Sequence, residues 1–190
     1  MERTVEPIAN PALMSVKDYL RSEASGNLRH EFIGGRIHAM AGGSERHNLI
    51  AGNVFAALHG HLQGGPCRAY MADFKVRLEI NREEIFYYPD VMVNCQRVGV
   101  EEFYLRFPCL IVEVLSPSTE MIDRREKLLN YPQINTLDEY VLVAQDTMEV
   151  TIHRREQRWA PEILTNREAV ADFQSIKLSM QLSLIYSGLF

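Results

Sequence analysis

The run Leu110-Ile111-Val112-Glu113-Val114-Leu115 constrains this chain more than any other stretch. Its apolar side chains fall on both parities, the mark of a strand buried on both faces in the middle of a sheet. Glu113 nevertheless stands at its centre. An ionised carboxylate there must be paired, hydrogen-bonded or bound to a metal, because bare burial costs too much. Asp90 lies behind Pro89 and heads the apolar run Val91-Met92-Val93. It is the natural second carboxylate, and the functional reading turns on whether the two side chains meet.

With 190 residues, one domain with its own core is expected, residues 15–190, behind a flexible N-terminal lead at 1–14. That lead carries acids and prolines and does not read as a secretory signal. Hydrophobic content of 46% and charged content of 24% describe an ordinary globular chain. The formal net charge of -5 excludes an overall basic signature, so any phosphate-binding face must be local. Cys67, Cys95 and Cys109 are odd in number and lack CxxC spacing, which fits free thiols in a reducing cytosol. No apolar run approaches membrane-spanning length.

Along the chain, Ser15 caps a short helix to about Arg21, with Val16, Tyr19 and Leu20 on one side. Arg29 to Met40 alternates around Gly34-Gly35 and predicts a β-hairpin. A two-residue loop there pairs Ile33 with Arg36, Phe32 with Ile37, and Glu31 with His38. Ser44 to Leu62 reads as a capped helix with Ile50, Ala51, Val54, Leu58 and Leu62 at helical spacing. His47 falls on the side of Ala51 and Val54 and reads as a half-buried histidine satisfied by a neighbour. Arg68 to Ile80 alternates as one long half-buried strand, with Lys75 outward. Phe86 to Val93 returns as the Asp90 strand, where Pro89 implies an edge or a bulge. Ser116-Pro117-Ser118-Thr119 opens a helix to about Tyr131. Tyr140 to Val143 and Glu149 to Arg155 form a hairpin, with a further edge strand near Trp159 and Ile163. The tail from Ser175 packs as strand or helix.

Carboxylates on adjacent strands supply hard oxygen ligands, which select Mg2+ or Mn2+ over zinc. Such an ion polarises a phosphoryl oxygen and lowers the pKa of its water, as phosphodiester hydrolysis requires. A nearby cation then carries part of the developing charge. Ile111, Glu113 and Leu115 share a strand face, so the place where a lysine could stand beside the metal is leucine. At about 100° per residue, the following helix puts Glu120, Asp123, Lys127 and Tyr131 on one side. Met121, Ile122, Leu128 and Leu129 make an adjacent apolar stripe containing Arg125. Lys127 is therefore the candidate cation and Arg125 its rival. The plainer alternative makes Asp123 and Lys127 a surface i,i+4 ion pair. Arg154, Arg155 and Arg158 are candidates for backbone phosphate contact, against the alternative of a solvated strand edge.

These stretches resemble the PD-(D/E)XK superfamily of restriction-endonuclease-like phosphodiesterases and, more closely, the Uma-two family. The resemblance is carried by His30 to Ile37 with Ala39 to Gly43, His47-Asn48, Pro89-Asp90-Val91, Val112 to Thr119, Asp123 to Lys127 with Tyr131, and Glu139 to Val143. It implies an α/β fold, a restriction-endonuclease-like mixed β-sheet core flanked by helices. It also implies Asp90, Glu113 and the Val114 carbonyl as ligands of Mg2+ or Mn2+, with Glu31 an acid at the site's edge and Lys127 standing in for the missing strand lysine. DNA is the implied substrate and a homodimer the implied working form, and the cysteine usage points to a cytoplasmic location. Two departures are Pro132 at the helix end and Ala144-Gln145 where an aspartate often closes the next strand. Three readings follow: a metal-dependent endonuclease, a nuclease-derived fold that only binds nucleic acid or a protein partner, and a structural Glu113 paired with Arg125 or Lys127.

Overall fold

The computed structural model describes residues 13–96 and 98–190. Residues 1–12 of the expected lead lie outside them, but Met14 already donates its N–H to the Gly35 carbonyl at 2.8 Å. Ser15 accepts from the Asp18 N–H and starts α1 (Val16–Ser25), a turn longer than its apolar spacing predicts. The hairpin β1 (His30–Ile33) and β2 (Arg36–Ala39) has the expected register, with Glu31 opposite His38. Gly34 and Gly35 both take positive φ, 55° and 90°, as the tight loop requires. Ser44 caps α2 (Glu45–His61), which buries Ile50, Ala51, Val54 and Leu58.

The predicted long strands behave differently. Arg68 to Ile80 divides into β3 (Arg68–Met71) and β4 (Lys75–Ile80), and Phe86 to Val93 into β5 (Glu83–Tyr87) and β6 (Val91–Asn94). In each case the two halves join different sheets. The first break lies beside Asp73, which is pulled out by an ion pair with Arg29 at 3.0 Å. The second is Tyr88-Pro89-Asp90, where proline cannot donate to a ladder. Alternation survives such a crossing, so it cannot reveal one. Lys75, predicted outward, is buried with its ammonium 4.8 Å from the centre of the Tyr88 ring.

Short β7 (Tyr104–Leu105) runs parallel to β4, and β8 (Leu110–Leu115) carries Glu113. A composite helical stretch follows: α3 (Glu120–Ile122), a π-helical turn (Asp123–Lys127), α4 (Leu128–Asn130) and a 3-10 turn (Tyr131–Gln133). Then come β9 (Glu139–Ala144), β10 (Val150–Arg154) and β11 (Pro161–Leu164), the last being the expected edge strand. The tail is both strand and helix: β12 (Val170–Phe173) pairs with β13 (Leu178–Gln181), and α5 (Leu182–Ile185) ends it.

The sheets are β2-β1-β5-β4-β7 and β11-β10-β9-β8-β6-β3, with β12-β13 apart. β8 is an interior strand, antiparallel to β6 and parallel to β9. Its two faces belong to two cores. Leu110, Val112 and Val114 pack with Ile50, Val54 and Leu58 of α2. Ile111 and Leu115 pack with Tyr131 and with Val76, Leu78 and Ile85 of the five-stranded sheet. Tyr19 of α1 covers the outer face of that sheet against Phe32 and Phe86. The result is a mixed α/β core flanked by helices, with Glu113 on the face between the sheets. Each such aliphatic side chain contributes roughly 1.5–3 kcal/mol on burial.

Three further expectations are corrected. Cys67 and Cys95 are disulfide-bonded, and only Cys109 is free. The β3–β6 register pairs Arg68 with Asn94 and so brings the flanking cysteines opposite one another. Arg154 is buried against Glu139 and Glu162, and Arg155 donates to the Leu137 and Ile134 carbonyls, so neither offers a cation to a phosphate. Of the predicted apolar stripe, Met121, Ile122 and Leu129 are exposed and only Leu128 packs inward.

Candidate functional site

Asp90 sits where the chain crosses from one sheet to the other, immediately before β6, and the end of β8 lies beside it. The two acids are cross-linked through backbone groups. The Asp90 N–H donates to Glu113 Oε2 at 3.3 Å, and the Val114 N–H donates to Asp90 Oδ2 at 2.7 Å. Pro89 explains the geometry: it ends β5 pairing and frees the next residue to turn toward β8.

The π turn brings in the cation. An extra residue in the helical ladder re-aims the side chains beyond it, and such turns gather at functional sites. The hydroxyl of Tyr140 donates to the Asp123 carbonyl at 3.0 Å at the start of that turn. Asp123 and Lys127 then both point inward and are buried, while Glu120 swings out to pair with Arg124 at 2.8 Å. The uniform helical wheel therefore places Lys127 correctly and Glu120 wrongly. Arg125, the rival, is exposed.

Lys127 Nζ lies 3.0 Å from Glu113 Oε1, 3.1 Å from Glu31 Oε1 and 3.0 Å from Asp123 Oδ1. The Asp123 contact is an ion pair without hydrogen-bond geometry, and that buried oxygen has no hydrogen-bond partner. The Tyr131 hydroxyl donates to Glu113 Oε1 at 2.8 Å. Glu113 Oε2 is thus the less committed oxygen, holding one long bond. The surface i,i+4 pair predicted for Asp123 and Lys127 is in fact interior.

Three carboxylates, Glu31, Glu113 and Asp123, gather around one ammonium, and Asp90 adjoins Glu113. Burial pushes the Glu113 carboxyl up to about 8; Lys127 and Tyr131 oppose this, and Asp123 and Asp90 reinforce it. Burial alone would lower Lys127, but Glu113, Glu31 and Asp123 outweigh it and hold the ammonium well above its ordinary value.

His47 is the residue whose position the sequence signals but whose partner it does not. Nε2 lies 3.2 Å from Asp90 Oδ2, and the Val114 carbonyl lies beside the ring. Its spacing from the Ser44 cap already put it on the inner side of α2. Gln145 has a structural use, accepting from the Ser44 hydroxyl at 2.9 Å and so tying the α2 cap to the end of β9.

Among the described residues, no three Asp, Glu, His or Cys side chains form a ready-made metal cage. The donor chemistry still fits a hard divalent ion. Asp90, the less committed Glu113 Oε2 and the Val114 carbonyl are oxygen donors at one end of the cluster, and the acids outnumber the cations there. No helix among the described residues is long and apolar enough to cross a membrane.

Residues 16–184 match the Uma2 family, described as "Putative restriction endonuclease". "Uncharacterized protein slr1290" of Synechocystis sp. is 34% identical over 181 residues, covering 93% of each chain. A second protein of that organism, "Uncharacterized protein sll1609", is 28% identical over 176 residues, covering 90% of this chain and 98% of its own. The crystal structure of a "putative nuclease belonging to DUF820" from Anabaena variabilis superposes with a TM-score of 0.70 at 18% identity, over 85% of this chain and 91% of that one. At that identity the likeness speaks for the fold alone, a mixed α/β core flanked by helices. The profile match spans most of the described sequence, and the chain belongs to the Uma2 family of putative restriction endonucleases.

Proposed function

We propose that this protein is a divalent-metal-dependent endonuclease that hydrolyses DNA phosphodiester bonds. The observation that carries the reading is the convergence of Glu31, Glu113 and Asp123 on the single ammonium of Lys127, with Asp90 held beside Glu113 through its own backbone N–H. Asp90 and Glu113, with the Val114 carbonyl, would hold Mg2+ or Mn2+. When bound, such an ion supplies Lewis acidity and a water of lowered pKa. Lys127 contributes a fixed positive charge beside the reacting phosphate, and Glu31 and Asp123 hold that ammonium in place. Tyr131 orients Glu113 through its hydroxyl. Glu31, 13% exposed, stands at the rim, while Glu113 at 4% forms the floor. The family description supports a nucleic-acid substrate, and a homodimer would present two such sites to two strands.

A second reading, a nuclease fold that only binds nucleic acid or a protein partner, is favoured by the tight engagement of Lys127 with three acids. Incubation of supercoiled plasmid with purified protein separates the two. The endonuclease reading expects nicking that needs Mg2+ or Mn2+, stops with EDTA and falls at least about a hundredfold in Asp90→Asn. Cleavage without a divalent ion, or undiminished in Asp90→Asn, contradicts it. Binding without turnover supports the second reading.

A further inference from the structure

The Asp90 end of the cluster has a donor that a purely oxygen-based centre does not need. His47 Nε2 is 3.2 Å from Asp90 Oδ2, and the Val114 carbonyl lies beside the same ring. One imidazole therefore addresses two of the three oxygens assigned above to a divalent ion.

We propose that His47 is itself a ligand, and that Nε2 with the Asp90 carboxylate and the Val114 carbonyl makes a mixed nitrogen–oxygen seat selective for Mn2+ or a similar first-row transition ion over Mg2+. The inference rests on the reading of the site as a metal centre and names its preferred ion.

Three further features of the fold support it. First, the ring's direction is set by its surroundings. The His47 N–H donates to the Ser44 hydroxyl at 3.1 Å, and that hydroxyl is anchored on Gln145 at 2.9 Å. A Cβ on Gly43 would come within 2.9 Å of Nδ1, so only glycine leaves the ring room to turn Nε2 toward Asp90. Second, access favours this end. The side chains of His47 and Asp90 are 18% and 17% exposed, against 4% and 6% for Glu113 and Lys127. An ion entering from solvent meets the imidazole and Asp90 before it meets Glu113. Third, the donor types match. Imidazole suits first-row transition ions, whereas Mg2+ prefers an all-oxygen shell and gives up its waters reluctantly. The ion takes the Nε2 lone pair, Nδ1 keeps its hydrogen, and the proton displaced from Nε2 leaves to solvent.

The test uses the full chain loaded with Mn2+ alone. Pulsed electron paramagnetic resonance should detect nitrogen-14 modulation from a directly bound imidazole. That modulation should persist in His38→Gln, whose side chain sits across from Glu31 in the hairpin, and vanish in His47→Gln. Calorimetry should find wild type binding Mn2+ more tightly than Mg2+, and His47→Gln weakening Mn2+ on the order of tenfold while leaving Mg2+ unchanged. Bound Mn2+ without nitrogen modulation, modulation that survives in His47→Gln, or equal wild-type affinity for the two ions overturns the role of His47 and leaves the metal centre standing. Should His47→Gln fail to fold, the wild-type modulation and ion preference decide the matter alone. If wild type binds neither ion, the metal reading fails and this one with it.

Discussion

Lys127 Nζ and Glu113 Oε1 meet at 3.0 Å in the space between the two large sheets, one delivered by a π turn and the other by an interior strand. Both side chains are almost wholly buried, so neither can borrow water when the other is removed. Lys127→Met should therefore destabilise the protein by about 3 kcal/mol or more, since it strands acids in the interior. In a chemical-denaturation cycle with Glu113→Gln, the two changes should couple by at least about 1 kcal/mol. Additive single-variant effects contradict a shared buried pair.

Stability of the metal-free protein should depend on pH through Glu113. Its folded carboxyl is pushed up to about 8 from an ordinary 4.5, so the folded state binds the proton more tightly than the unfolded chain. That contribution is complete below about 4.5 and is lost as pH rises through about 8. Denaturation midpoints measured in EDTA should thus fall for wild type relative to Glu113→Gln between pH 5 and pH 8.5, a range chosen about those two values. A rising difference contradicts the assignment.

Tyr131 holds the same carboxylate oxygen through its hydroxyl at 2.8 Å. Tyr131→Phe keeps the ring packing and deletes only that donor. The expected loss is about 1–2 kcal/mol, read from denaturant midpoints at unchanged m-value. No loss would mean that the hydroxyl is not needed to satisfy Glu113.

Cys109 should be inert in the folded protein. Burial pushes its thiol up to about 12, so the thiolate fraction at pH 8 is on the order of one in ten thousand. Iodoacetamide should label it only after denaturation, as mass spectrometry of native and unfolded samples can establish. Rapid labelling of the native protein contradicts this.

Local sequence reveals much of the scaffold because capping and tight-turn chemistry act over a few residues. Ser15, Ser44 and Gly34-Gly35 mark their elements correctly, and the hairpin register that sets Glu31 opposite His38 follows from loop length alone. The buried character of β8 follows from its residues on both parities. The crossings at Asp73 and Pro89 are hidden because a strand that changes sheets keeps its alternation. The π turn is hidden because no residue pattern distinguishes Asp123–Lys127 from an ordinary helix, so Lys127 was legible but the outward turn of Glu120 was not. The Cys67–Cys95 bond depends on β3 lying beside β6, a fact of topology rather than of cysteine spacing. His47 shows the same limit within the site: its helix face could be read, while its contact with Asp90 needed the third dimension.

In the proposed centre, Asp90 and Glu113 share one divalent ion beneath a lysine supplied by the next helical stretch. Anomalous diffraction from crystals soaked in Mn2+ tests this most directly. One strong peak is expected within about 2.5 Å of carboxylate oxygens from both residues. Mn2+ bound elsewhere, or no peak between these acids in a protein that still cleaves DNA, would contradict it.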